Sequence, residues 1–168
     1  MKALNDRRES VSSESALSED TRALYDVLSE LIRFYQFRDR DRICCYDVSV
    51  TQCYALEALV AEAGMTMNSL AAHLYLDKST TSRVVDALER KRYVKRSSHP
   101  DDGRSILLEA TSEGRALHNR IVAGILKEER ELLSEFRPEV RQSMIQLLKR
   151  LARAAERRMK AGSGTCGA

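Results

Sequence analysis

The stretch from Leu76 to Arg104 constrains the fold of this chain more than any other. It begins with a helical pattern and ends with a basic hairpin pattern. Asp77 can cap the helix, because a short carboxylate accepts hydrogen bonds from the free N–H groups of a first turn. The side chains of the inner face recur at the three- and four-residue spacing of an amphipathic helix. These side chains are Thr81, Val84, Val85 and Leu88.

The remaining faces of this helix carry short hydroxyl groups and long charged side chains. Such side chains at the start of a helix can reach base edges and phosphates when the helix enters a major groove. The residues predicted to do so are Lys78, Ser79, Thr80, Ser82 and Arg83. Beyond Val94 the chain becomes basic at Lys95 and Arg96, and the His-Pro-Asp-Asp-Gly run at 99–103 predicts a turn. Ile106 to Leu108 then predict a second strand.

A second short helix is predicted directly before this unit. Thr66 to Leu74 has the pattern of a capped helix, and only Tyr75 and Leu76 separate it from the Asp77 cap. Two helices joined this closely predict a helix-turn-helix.

At this point the sequence resembles a known family of bacterial transcription regulators. The pattern from Val48 to Gly114 is similar to that of the MarR family: a helix opening, a helix-turn-helix, an Asp-x-Arg wing tip and a Thr-x-x-Gly start to the next helix. The corresponding residues here are Ser49 and Gln52, Asp77 to Arg83, Asp102 and Arg104, and Thr111 and Gly114. Two positions depart from the family pattern, because Tyr75 and Arg92 stand where the family often has Gly.

The resemblance implies a mainly α fold with a small β-wing, that is, a winged helix-turn-helix flanked by long dimerisation helices. We expect a homodimer that binds double-stranded DNA at a pseudo-palindromic operator, most simply as a repressor under the control of a small effector. Lys95 would add a phosphate contact, and Arg104 would enter the minor groove from the wing. Asp102 would orient Arg104 through a charge-assisted pair.

The distribution of charge agrees with this expectation better than its total does. The 168-residue chain has a formal net charge of only +3. Residues 77–104 contain eight basic and five acidic residues, so this segment accounts for the whole excess. A local basic patch is what phosphate neutralisation requires. The alternative is a winged-helix protein-interaction module that does not bind DNA.

Helical patterns continue on both sides of the central unit. Glu19 to about Arg42 predicts a first helix with Ser18 as its cap, the capping box Ser49-Val-Thr-Gln52 starts a second, and Thr111 and Pro138 start the last two. The predicted domain is 18–161, with its reading unit at about 48–114. Residues 1–17 and the tail at 162–168 have the Ser-, Gly- and charge-rich composition of disordered segments. The outer helices have more apolar surface than one small domain covers, which predicts dimerisation. The alternative is that the terminal helices fold back on their own domain.

The hydropathy of the sequence indicates neither a membrane span nor a secretory signal. The apolar fraction of 43% is sufficient for a core, but no apolar run is long enough to span a bilayer, and the first residues contain no hydrophobic signal segment. We therefore expect a cytoplasmic protein with no membrane association.

Three of the four cysteines lie within ten residues of one another: Cys44, Cys45 and Cys53. They are open to three interpretations: core packing, an oxidisable thiol sensor, or a site for zinc or a metalloid. Zinc would need a fourth ligand, for which His118 is the candidate. The sequence contains no nucleophile elbow, Gly-rich phosphate loop or His-x-x-x-His pair that would indicate an enzyme.

Overall fold

The computed structural model describes residues 2–43, 45–62, 64–98 and 106–162. Six helices and three short strands follow one another along the chain. In chain order they are α1 (Lys2–Ile43), α2 (Val50–Ala61), β1 (Met65–Thr66), α3 (Met67–Leu74), α4 (Lys78–Arg90), β2 (Val94–Ser98), β3 (Ile106–Ala110), α5 (Ser112–Ser134) and α6 (Pro138–Gly162). The chain forms two compact units, Met1–Ile121 and Val122–Ala168.

The core of the first unit is formed by helices α2 to α4, the sheet and the beginning of α5. Each helix and the sheet bury at least one large apolar side chain almost completely, and each such burial contributes about 1.5–3 kcal/mol. The fully buried side chains include Leu56, Leu59, Leu70, Val85, Leu88, Val94, Leu108 and Leu117. This core sets the position of α4 relative to the strands.

The sheet is antiparallel with the order β1-β3-β2. β2 pairs with β3 from Val94, opposite Ala110, to Ser98, opposite Ile106, as the hairpin pattern predicts. The third strand, β1, was not predicted from the sequence. It has only two residues and pairs Met65 with Leu108, so it is defined by its partner strand rather than by any local pattern.

The first helix is longer than the sequence pattern indicates. α1 begins at Lys2, so Ser18 lies inside the helix and the prediction that it caps the helix is wrong. The segment before Ser18 contains no Gly or Pro, and nothing in it interrupts a helical hydrogen-bond ladder. That residues 1–17 are disordered in solution stays a prediction, as does the flexible tail.

The second unit contains the end of α5 and the whole of α6. Phe136 N–H donates to Leu133 O at 3.2 Å, and the Arg141 side chain donates from Nε to Phe136 O at 2.6 Å, which closes the turn between the helices. α6 then begins at Pro138, as predicted. Within the described residues, none of the helices combines the length and apolar character needed to cross a membrane.

Candidate nucleic-acid interface

Helices α3 and α4 form the predicted helix-turn-helix. Thr66 caps α3 by accepting from Ser69 N–H at 3.1 Å, and Asp77 caps α4 by accepting from Thr80 N–H at 2.8 Å. Between them the chain turns at Tyr75, whose φ of 53° lies in the left-handed region. Leu76 N–H donates a hydrogen bond to Ala71 O at 3.0 Å, which closes the turn. The turn therefore has the conformation that favours glycine although a tyrosine occupies it.

Helix α4 presents two different faces. Thr81, Val85 and Leu88 are completely buried, and Val84 is half-buried, which confirms the predicted inner face. The buried Thr81 hydroxyl is satisfied, because it donates to Asp77 O at 2.9 Å. Among the residues predicted to contact DNA, Lys78, Ser79 and Arg83 are exposed, whereas Thr80 and Ser82 are half-buried.

Asp77 organises the first turn of α4. Its Oδ1 accepts from the Ser79 hydroxyl at 2.6 Å, and its Oδ2 accepts from the Thr80 hydroxyl at 2.6 Å. These bonds stabilise the carboxylate, and the Ser79 hydroxyl, followed by the Thr80 hydroxyl and N–H, lowers the pKa of Asp77 far below its usual range. Asp77 is therefore ionised at any physiological pH.

The wing is the hairpin formed by β2 and β3. Arg96 of β2 connects it to α4. Its guanidinium forms ion pairs with Asp86 and with Glu89, the latter at 3.0 Å. One strand residue therefore binds two carboxylates that lie one turn apart on the helix. Sequence reasoning counted Arg96 only as part of the basic patch. The i, i+3 spacing of Asp86 and Glu89 on α4 could have indicated a shared cationic partner. The sequence does not show that this partner is Arg96, because only the tertiary fold brings β2 beside α4.

Lys95, predicted to bind DNA, has a partner within the sheet. It lies opposite Glu109 in the ladder, and Lys95 Nζ is 2.8 Å from a Glu109 carboxylate oxygen. Its side chain is exposed, so it stays available to a phosphate that competes with this carboxylate.

A second junction joins the end of α4 to the start of α5. Arg92 is left-handed with a φ of 62°, and its carbonyl accepts from the Thr111 hydroxyl at 2.7 Å. Thr111 Oγ1 also accepts from Gly114 N–H at 3.0 Å, which caps α5. A Cβ on Gly114 would lie 2.1 Å from Tyr93 O, so only glycine allows this close approach.

The loop between α1 and α2 supports the same junction. Lys91 Nζ donates to Asp47 O and, at 3.3 Å, to Gln52 Oε1. The Tyr93 hydroxyl donates to Asp47 Oδ1 at 2.9 Å. The predicted Ser49–Gln52 capping box is present with both of its hydrogen bonds, so a locally determined helix start anchors the base of the wing.

Comparison with known proteins now decides the family. A family model described as the MarR family matches residues 46–105. The uncharacterised HTH-type transcriptional regulator ML2140 of Mycobacterium leprae is 31% identical over 104 residues, which cover 60% of this chain and 70% of that protein. This chain belongs to the MarR family. It is a helix-turn-helix transcription regulator rather than an enzyme, and the expected winged helix is present.

This MarR-family chain is also similar to one further curated protein and to a solved structure. A putative transcriptional regulatory protein for the hcr operon of Thauera aromatica is 29% identical over 58% of this chain, and the match spans only 59% of that protein. The PcaV transcriptional regulator from Streptomyces coelicolor, solved in complex with its natural ligand, is 28% identical. It superposes with a TM-score of 0.58 over 76% of this chain and 92% of that chain.

The cysteines of this MarR-family chain occupy different environments. Cys53 is buried in α2, and this burial, followed by the charges of Glu57 and Asp39, raises the pKa of its thiol to about 11. Cys45 is exposed, and its thiol donates to Asp41 O at 3.9 Å. Cys53 therefore has the properties of a core residue rather than of a reactive thiolate.

The other predicted site residues give a mixed result. Both ring nitrogens of His118 are buried, and neither has a hydrogen-bond partner among the described residues. In that part of the chain, no three His, Cys, Asp or Glu side chains lie close enough together to hold a metal ion. Cys44, Asp102 and Arg104 lie outside the described residues, so their predicted roles stay predictions.

Proposed function

We propose that this MarR-family regulator binds double-stranded DNA by inserting α4 into the major groove. The observation that carries the proposal is the division of α4 into a fully buried face and a polar face with exposed Lys78, Ser79 and Arg83. The buried face attaches the helix rigidly to the core, while hydroxyls and cations face outward at the end that enters a groove. Rigid attachment lowers the entropy that the helix loses on binding.

The contacts in this proposal have separate tasks. Ser79, Thr80 and Ser82 read base edges, whereas Lys78 and Arg83 bind phosphates and set the register of the protein on the duplex. From the wing, Lys95 adds a phosphate contact. Arg104 reads the minor groove, with Asp102 orienting its guanidinium.

We propose that the active form is a homodimer built by the outer helices. Large apolar side chains remain exposed on α1, α5 and α6 in the single chain, and leaving so much apolar surface in water is unfavourable. They include Leu24, Val27, Ile32 and Phe34 on α1, Leu126 and Leu132 on α5, and Ile145, Leu147 and Leu148 on α6. A two-fold dimer presents two α4 helices and matches a pseudo-palindromic operator. Bound over a promoter in the cytoplasm, it acts as a repressor.

Release from DNA requires an effector, and we propose a small organic molecule. The support is the similar PcaV regulator, whose structure contains its natural ligand. Thiol chemistry is the second candidate. Of the three clustered cysteines it would use Cys44 and Cys45, because the raised pKa of Cys53 suppresses its reactive form. Zinc or a metalloid at Cys44, Cys45 and Cys53 would be a further effector of this kind.

The decisive experiment is selection of binding sites from a random duplex library, followed by titration of the enriched duplex at several salt concentrations. We expect an inverted repeat and a linear fall of log K with log salt. Binding without sequence preference, or with no salt dependence, would refute the proposal and favour the interaction-module alternative. For the effector, DNA affinity is compared with and without a library of small organic molecules, peroxide, Zn²⁺ or arsenite, on wild type and on Cys44→Ser and Cys45→Ser.

A further inference from the structure

In the first turn of α4, the hydroxyl groups of Ser79 and Thr80 already donate hydrogen bonds to Asp77. The Ser79 and Thr80 hydroxyl oxygens each lie 2.6 Å from a different carboxylate oxygen of Asp77. An ionised carboxylate accepts hydrogen bonds but cannot donate them. The hydrogen in each of these two contacts therefore belongs to the hydroxyl, and it points at Asp77.

This arrangement removes a choice that serine and threonine normally have. A free hydroxyl donates or accepts, which is why it can contact any base. Here each hydroxyl gives its only hydrogen to a charged acceptor, in a bond stronger than one between two neutral groups. Only lone pairs remain for a base.

We propose that Asp77 makes Ser79 and Thr80 obligate acceptors, so that they select bases with an amino group in the major groove. Those groups are N6 of adenine and N4 of cytosine. The guanine O6 and N7 and the thymine O4 are acceptors, and they meet a lone pair instead of a hydrogen. This specificity rests on the proposed function, because it requires α4 to lie in the major groove.

Asp77→Asn tests the inference at one atom. Asparagine is an equally good N-cap, and its Oδ1 can still accept from Thr80 N–H and from the Ser79 hydroxyl. The second carboxylate oxygen becomes an NH₂ group, which must donate to the Thr80 hydroxyl. The hydrogen of Thr80 is then free to point at the base. Thr80 therefore changes from an obligate acceptor to a group that can donate to the base, while Ser79 remains an acceptor.

The experiment is site selection from a random duplex library with the full-length wild type and three variants, followed by anisotropy titrations of the selected duplexes. Thr80→Val removes the hydroxyl and identifies the base position that Thr80 reads, whereas Thr80→Ser keeps the hydroxyl and serves as the matched control. At that position we expect adenine or cytosine for wild type and Thr80→Ser, and little preference for Thr80→Val. For Asp77→Asn we expect guanine and thymine to be gained at the expense of cytosine, the base with no hydrogen-bond acceptor in the major groove. The preferred base should bind about fivefold more tightly, as expected for one neutral hydrogen bond.

Each outcome has a defined meaning. An unchanged preference in Asp77→Asn, or an unchanged consensus in Thr80→Val, would overturn the inference while wild-type binding still supported the proposed function. A uniform gain in affinity for all sequences, with a changed salt slope, would mean that Asp77 acts only by repelling phosphates and would also overturn it. If wild type enriched no duplex at all, the proposed function itself would fail. Circular dichroism melting confirms that the Asn variant is folded.

Discussion

Arg96 in β2 holds Glu89 in α4 at 3.0 Å, and the same guanidinium binds Asp86 one turn earlier. One side chain, that of Arg96, thus connects β2 to α4. The Arg96 side chain is partly buried between Asp86 and Glu89. In the proposed complex with DNA the two elements contact neighbouring grooves, so we expect this connection to fix the angle between them. We expect Arg96 to act as a positioning residue, because its charge is already paired with the carboxylates of Asp86 and Glu89.

Arg96→Ala should lower the free energy of unfolding by about 1 kcal/mol, the scale of two partly exposed ion pairs. We expect about fivefold weaker DNA binding, because docking must then reorder the wing, with an unchanged dependence on salt. The matched variant Lys95→Ala should reduce the salt slope by about 1, as loss of a phosphate contact does. A reduced slope in Arg96→Ala would show that Arg96 contacts a phosphate.

Gly114→Ala should destabilise the protein severely, by about 3 kcal/mol or more, because the new Cβ would lie 2.1 Å from the backbone oxygen of Tyr93. Gly124 lies on the same helix, and a Cβ added there would have no other atom within 4 Å, so Gly124→Ala should stabilise by about 0.5–1 kcal/mol. Urea denaturation of both variants measures the difference. Equal effects would contradict the close approach at Gly114.

Arg92→Gly should stabilise the protein by about 0.5–1 kcal/mol. A left-handed non-glycine residue costs about 1–2 kcal/mol, and the added freedom of glycine in the unfolded chain offsets part of that gain. Arg92→Ala is the control, because it removes the exposed side chain and keeps the strain. Tyr75→Gly should behave in the same way at the other left-handed position. If both Arg92 variants had equal thermal midpoints, strain at this turn would be excluded.

The free energy of unfolding should fall as the pH rises from 9 to 11. Burial raises the pKa of Cys53 from 9.0 to about 11, so the folded state binds this proton more tightly than the unfolded state. The resulting stabilisation is complete below pH 9 and is lost as the pH approaches 11. Cys53→Ala should reduce this fall, and Cys45→Ala, which changes an exposed thiol, should leave it intact. Urea titrations at a series of pH values provide the measurement.

Leu148→Glu should dissociate or unfold the proposed homodimer, because it would place an unpaired charge in the apolar interface that we assign to α6. Leu151→Glu should do the same, whereas Gln146→Glu adds the same charge to an exposed polar position of α6 and should leave the dimer intact. Sedimentation velocity distinguishes these cases. Folded dimers of all three variants would exclude α6 from the interface.

Local chemistry was sufficient to predict the helix starts from the sequence. The Ser49–Gln52 capping box, the Asp77 cap and the cap at Thr66 depend on atoms two to three residues apart, so the residue types alone indicate them. The buried face of α4 was predictable for the same reason, because helical periodicity determines which side chains share a face. These local signals, in their order along the chain, also identified the family resemblance.

Only the tertiary structure decided how those elements meet. Tyr93 reaches Asp47 across 46 residues of sequence, Gly114 touches the backbone of Tyr93, and β1 exists because β3 lies beside it. Contacts of this kind depend on chain closure and packing, which no local pattern records. The same reason explains why the left-handed turn at Arg92 needs no glycine: the Thr111 hydrogen bond and the surrounding core hold a conformation that the residue itself disfavours.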